Sequence, residues 1–187
     1  MSKIKGNIYL YSTGGCGTRM LYKWLKPRCN KINGQGDVHY GKPPKNLRPN
    51  DRVIHLFGNP IPIISSFFYR HKNNGRFIVE HSNNMRIPTP DTNVKNFIKS
   101  NRDQFQLEKH FNKHKNRPNS ILINYHTLWD NLPEILKYIG LEDDIDSFPA
   151  KVERRSKEFF TKEQTESLQK TYKGLIEDIE KISYVIQ

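Results

Sequence analysis

The sequence predicts an α/β fold: a three-layer domain with a mainly parallel central sheet and helices on both faces. Three observations predict it. Strand-like and helix-like runs alternate along the chain, the pattern of crossover connections in a parallel sheet. The apolar residues cluster into those runs although the mean hydropathy is −0.80, so the chain reads as globular rather than disordered. The first strand also turns through a glycine-rich segment directly into a helix. At 187 residues one domain covering residues 1–187 is expected, with no internal repeat and no second domain.

Asn7–Tyr11 (NIYLY) is the first strand, Ser12–Thr18 (STGGCGT) the turn, and Arg19–Lys26 (RMLYKWLK) a short helix stopped by Pro27. A polar stretch leads to Gly36–Tyr40 (GDVHY), read as a second strand, and Gly41–Asp51 is a turn-rich connection. Arg52–Phe57 (RVIHLF) is a clear strand, and Asn59-Pro60 opens a helix to about Tyr69, proline being tolerated in a first turn. His71–Asn93 is weakly periodic and reads as a loop or a lid over a substrate. Val94–Lys115 reads as one polar helix, with Val94, Phe97, Ile98, Phe105 and Phe111 facing inward. Ser120–Tyr125 is a buried-type strand, and Leu132–Tyr138 a helix stopped by Gly140. Thr161–Ile182 reads as one long amphipathic helix, opened by a capping box of Thr161 and Gln164.

Lys plus Arg number 31 against 19 Asp plus Glu, a net charge of +12. A field of that sign attracts anions: nucleotides, sulfated or acidic glycans, nucleic acid, acidic membrane surfaces. No apolar run approaches a membrane span. Met1–Gly6 is short and charged, unlike a secretory leader. Cys16 and Cys29 are therefore expected as free thiols in a reducing, cytoplasmic setting.

The loop at 12–19 carries the chemistry. Where a strand turns into a helix, unpartnered amides point outward at the positive end of the helix dipole. Gly14, Gly15 and Gly17 let the backbone curl around an anion, Thr18 adds a hydroxyl, and Arg19 adds charge. Binding of phosphate or sulfate follows. The pattern G-x-x-x-x-G-K-[ST] is not met, because no lysine follows Gly17, and the dinucleotide spacing is absent too.

Three segments, in order, resemble the PAPS-dependent sulfotransferases. Gly14-Gly15-Cys16-Gly17-Thr18-Arg19-Met20-Leu21 is similar to the family's 5′-phosphosulfate loop, P-K-S-G-T-T-x-L. Val38-His39-Tyr40 and the Pro-rich turn after it (Lys42-Pro43-Pro44, Leu47-Arg48-Pro49) resemble T-H-L-P and L-L-P. Arg52 to Pro60, running on to Ser66-Phe67-Phe68, resembles the 3′-phosphate segment V-I-Y-L-x-R-N-P-x-x-x-x-x-S-Y-Y. Asn124-Tyr125-His126-Thr127-Leu128 echoes R-Y-E-D-L, and the final helix with Tyr172 echoes the family's last helix.

The resemblance spans about Ile8 to Ile182 and implies a P-loop-like sulfotransferase architecture. It further implies PAPS as cosubstrate, no metal, and transfer of a sulfuryl group to a hydroxyl of a carbohydrate or small molecule, an acidic glycan among the candidates. Nucleic acid is not an expected partner. Gly14, Gly15, Cys16, Gly17, Thr18 and Arg19 would cradle the 5′-phosphosulfate, Ser66 would contact the 3′-phosphate, and His39 would be the general base. Two family cations are missing: the loop lysine is Gly15 here and the 3′-phosphate arginine is Gly58. Arg19, Lys42 and the pair Arg154-Arg155 are the candidate replacements. Alternative readings are a degenerate nucleotide- or polyanion-binding module of the same fold and a divergent P-loop kinase. The run Arg70-His71-Lys72 to Arg76, with Phe67, Phe68, Tyr69 and Phe77, reads either as a surface for an acidic glycan or nucleic acid on the acceptor side or equally as a solvated loop. His55 reads as a core histidine. His71, His81, His110 and His114 lack carboxylate or Cys companions at ligand spacing, so no metal site is expected.

Overall fold

The structure is a computed structural model that describes residues 3–34, 37–40, 44, 46–153, 156 and 159–187. Five strands form one sheet: β1 (Ile4–Ser12), β2 (Cys29–Ile32), β3 (Arg52–Phe57), β4 (Ser120–Asn124) and β5 (Tyr184–Ile186), in the order β2-β1-β3-β4-β5. The first four run parallel and β5 pairs antiparallel with β4. β4 is buried throughout and β3 from its second residue onward. That double-sided burial is why RVIHLF and SILIN read as nearly continuous apolar runs.

Alternation along the strands divides the contacts between two faces. Arg52 sends its Nε–H to the Tyr138 carbonyl of α7 (Leu132–Ile139) at 2.9 Å. On the opposite face, Phe57 meets Phe111 of α6 (Leu107–His114), with ring centroids 5.1 Å apart. There Asn124 also donates to the Ile182 carbonyl, beyond α9 (Lys173–Glu180), at 3.0 Å. Helices therefore cover both faces, as the alternation predicts. The chain leaves β1 for β2 on one side of it and later returns as β3 on the other. The turns following β1 and β3 thus lie where the winding reverses, the place where an open α/β sheet offers a crevice to a ligand.

Several elements differ from the sequence reading. Asp37–Tyr40 is a helical turn, α2, rather than a strand, while Gly36 lies outside the described residues. The second strand in the chain is β2, whose CNKI sequence is too short and polar to announce itself. The stretch at 71–93 is mostly helical rather than a loop: α3 (Pro60–Asn74) runs past Tyr69, and α4 (Phe77–Met85) follows the Gly75 stop. Helix α1 (Thr18–Leu25) passes into a 3-10 turn, Lys26–Arg28, that carries Pro27.

Val94–Lys115 is two helices, α5 (Val94–Lys99) and α6. Asp103 divides them by accepting from the amides of Leu107 at 3.0 Å and Glu108 at 2.9 Å, which starts α6 afresh. The final helix is likewise divided at Tyr172 into α8 (Lys162–Thr171) and α9. Buried Tyr172 turns its hydroxyl to Asp103 at 3.1 Å, and Gly174 two residues on weakens helical continuity.

The Thr161 capping box is formed as predicted. Gln164 N–H donates to Thr161 Oγ1 at 3.3 Å, and Thr161 N–H donates to Gln164 Oε1 at 3.1 Å. Thr161→Ala is expected to lower stability by about 1 kcal/mol, readable as a shifted urea midpoint with an unchanged slope. No helix among the described residues is long and apolar enough to cross a membrane.

Candidate functional site

The turn after β1 is built from left-handed backbone. Gly14, Gly15 and Gly17 have φ of 86°, 68° and 76°, and the packing leaves no room for side chains. A Cβ on Gly17 would stand 2.2 Å from the Tyr125 ring, and one on Gly15 would stand 3.2 Å from the backbone of Ile63. The turn is pinned from inside by Ser12, whose Oγ accepts the Gly14 N–H at 2.9 Å and bonds Thr18 Oγ1 at 2.7 Å and Cys16 Sγ at 3.1 Å. Cys16 is fully buried and lies beneath the curl. Gly17 stands at the N-cap of α1 with no side chain to cap it, and no acid lies in the first turn. The positive end of α1 therefore opens on the concave side of the loop.

A cavity of about 500 Å³ opens over the loop. Gly14, Gly15, Gly17, Thr18, Arg19 and His39 all line it, so the structure brings together six of the residues named from sequence. His39, on α2, turns Nδ1 to the Ser12 carbonyl at 2.9 Å. A carbonyl only accepts, so Nδ1 carries the proton and Nε2 keeps the lone pair. Burial, and then Arg70, hold the His39 pKa below its ordinary value, so the ring is neutral at physiological pH.

Residues beyond the loop and His39 complete this wall: Arg70 and Phe77 from the basic run, and Glu80, His81 and Asn84, which were given no role from sequence. His81, on α4, donates from Nε2 to the Thr13 carbonyl at 2.7 Å, and its ring meets that of His39 edge-on at 4.7 Å. Arg70, Glu80 and Asn84 also line the cavity, with the Arg70 guanidinium 5.1 Å over the Phe77 ring. Phe77, Ile78, His81, Ser82 and Met85 fall at helical spacing. That was the signal for α4 and for the inward aim of His81. Of the basic run, Arg70 and Phe77 reach the cavity, while Phe67 and Phe68 belong to the core.

Burial lowers the His81 pKa to about 3, with the neighbouring His39 adding to the effect. The unfolded ring takes its proton near pH 6.5 and the folded ring does not, so His81 costs stability as pH falls below that value. His81→Gln is expected to flatten the acid side of the stability profile between about pH 6 and 4 by up to about 1.4 kcal/mol per pH unit, measured by urea titrations at each pH.

A second cavity, of about 540 Å³, lies beyond Tyr125 and is lined by Ser65, Tyr125, His126, Lys151, Ser156 and Phe160 among others. The Tyr125 ring, packed against Gly17, stands between the loop and this cavity. Lys151 donates to the His126 carbonyl at 3.3 Å and lies 5.6 Å from the Trp129 ring. Ser66 is buried on α3 and lines neither cavity; its neighbour Ser65 lines the second. Gly58 follows β3, where an added Cβ would meet Cys16 and Tyr125 at 3.6 Å, an ordinary contact. Lys42, Arg154 and Arg155 lie outside the described residues.

The arrangement can hold a tetrahedral oxyanion on the loop, between two cavities, with a neutral imidazole beside it. No protein-family model matches the chain, and no curated protein matches it.

Proposed function

We propose that the protein is a sulfotransferase-like enzyme. It binds PAPS with the 5′-phosphosulfate on the glycine curl and the adenosine toward the cavity beyond Tyr125. It passes the sulfuryl group to a hydroxyl presented in the cavity over His39. The observation that carries this reading is the curl itself: three left-handed glycines at the start of an uncapped helix, with His39 fixed in the Nδ1–H tautomer beside it. The free Nε2 takes the acceptor's proton as its oxygen attacks sulfur and the bond from sulfur to the bridging phosphate oxygen breaks, releasing 3′,5′-ADP and a sulfate ester. Sulfuryl transfer resembles phosphoryl transfer in depending on positioning and on charge around the moving group. Arg19 and the α1 dipole supply positive charge on the loop, and Arg70 supplies it across the cavity.

A second reading, a binding module of the same fold without catalysis, draws on one observation. Gly15 stands where the family has its lysine, and its left-handed φ and contact with Ile63 make any side chain there strained. In a thermal-shift comparison, 3′,5′-ADP is expected to raise the melting temperature and ATP with magnesium to leave it unchanged. Stabilisation by neither removes both readings. Transfer of radiolabel from PAPS to a pool of hydroxyl acceptors then supports the enzyme, and binding without transfer supports the module.

A further inference from the structure

We propose that His55, His110 and His114 form a binding site for one divalent transition-metal ion of the zinc class. The sequence reading expects no such site because His110 and His114 have no Cys or carboxylate companion at ligand spacing and His55 reads as a core histidine. The fold brings them together. His110 and His114 lie four residues apart on one face of α6, and His55 rises from β3 beneath them. One nitrogen from each ring lies within 4.8 Å of the others, and His55 Nε2 stands 3.2 Å from His110 Nδ1. The edge of a tetrahedron built on zinc–nitrogen bonds is about 3.3 Å, so the first pair is already at ligand spacing. A small rotation of the His114 ring brings in the third.

The hydrogen-bonding groups point the same way. His55 and His114 are each 1% exposed, yet His55 Nδ1 and both ring nitrogens of His114 are buried without a hydrogen-bond partner. Orphaned polar atoms at that depth are costly and uncommon. A metal ion satisfies one nitrogen of His114 outright and replaces the single contact between His55 and His110 with two bonds. His110 also meets the His39 backbone through a hydrogen bond, the kind of outer support that orients a ligating imidazole. A cavity of about 10 Å³ bordered by His55, His110, Thr13 and Gly58, though not by His114, is room for one water beside the first pair.

Donor chemistry selects the ion. Three imidazoles with no carboxylate suit zinc, nickel or copper and not magnesium or calcium. Burial keeps all three rings neutral, with His110 lowered to about 3 and His114 to about 4. Binding at neutral pH therefore needs no net loss of a proton, only the shift of the proton in the His55–His110 contact to the other nitrogen of its own ring. Lys113 is close enough to act on all three rings and opposes a second positive charge, which sets this site below a thiolate site in affinity. Its role is structural. The ion ties α6 to the sheet directly behind the His39 backbone.

The test uses the full chain, stripped with a chelator and then dialysed against zinc. Wild type is expected to retain one equivalent and to melt at a higher temperature with zinc than without. His110→Gln/His114→Gln is expected to retain well below one equivalent, and His71→Asn a full one. Because the double variant can fold poorly, nitrogen-15 spectra of the wild-type imidazoles decide the assignment. Zinc is expected to shift His55, His110 and His114. No stoichiometric uptake by wild type overturns the proposal, and so do shifts confined to His39 and His81.

Discussion

Replacing His39 with asparagine is expected to lower sulfuryl transfer by about 10² to 10⁴-fold, the usual contribution of a positioned general base, while leaving 3′,5′-ADP affinity within a few-fold of wild type. The split follows from the geometry. The imidazole's hydrogen bond to the loop runs through Nδ1, which donates to the Ser12 carbonyl, and an asparagine amide can donate to the same oxygen. The variant therefore keeps the hydrogen bond to the loop and loses the lone pair proposed to take the proton. His39→Ala loses both, and its 3′,5′-ADP affinity should fall as well as its rate. Protonation supplies an independent readout. With the His39 pKa held below its ordinary value by burial, wild-type kcat/KM should fall only on the acid side of about pH 6.5, and that limb should vanish in His39→Asn. A variant that transfers at the wild-type rate would remove His39 as the base, although the loop would still be an anion site.

How much of this was legible in the sequence differs element by element. β1, β3 and β4 are plain because strands buried on both faces are continuously apolar. β2 and β5 are not: CNKI has only Cys29 and Ile32 to offer, and Tyr184–Ile186 is three residues on an edge. The interruptions in the two long helical readings have different causes: Asp103 restarts α6 through the nearby amides of Leu107 and Glu108, whereas the break at Tyr172 goes with its contact to Asp103, which joins residues far apart in the chain. No local pattern reports it. The loop was legible because glycine spacing is a local property with a local cause. His39 was singled out through family resemblance, and the structure adds its place on the cavity wall and its tautomer. His81 and the cluster of His55, His110 and His114 were not found, since ligand spacing in sequence is informative only when the ligands share an element. His110 and His114 do share one; their third partner is on β3.

Replacing Gly17 with alanine is expected to have the largest effect on the site as a whole. Two costs combine. The residue sits at φ 76°, where a Cβ costs about 1 to 2 kcal/mol. That Cβ would also lie 2.2 Å from the Tyr125 ring, so ring or loop must move, at about 1 to 3 kcal/mol for overpacking. The expected loss of about 2 to 5 kcal/mol is a large share of a typical domain's stability, and 3′,5′-ADP should no longer raise the melting temperature. The second substitution Tyr125→Ala separates the two costs. In Gly17→Ala/Tyr125→Ala the collision is gone and the backbone penalty stays, so the double variant should recover part of the stability lost by Gly17→Ala. The two changes should then be non-additive by more than about 0.5 kcal/mol. Recovery of folding without recovery of 3′,5′-ADP binding would mean that the left-handed turn at Gly17, rather than open space beside it, is what holds the anion. If Gly17→Ala melts and binds as wild type does, the curl is not under the constraint that its geometry implies, and the anion site would have to be sought elsewhere on the cavity wall, first at Arg19 and Arg70.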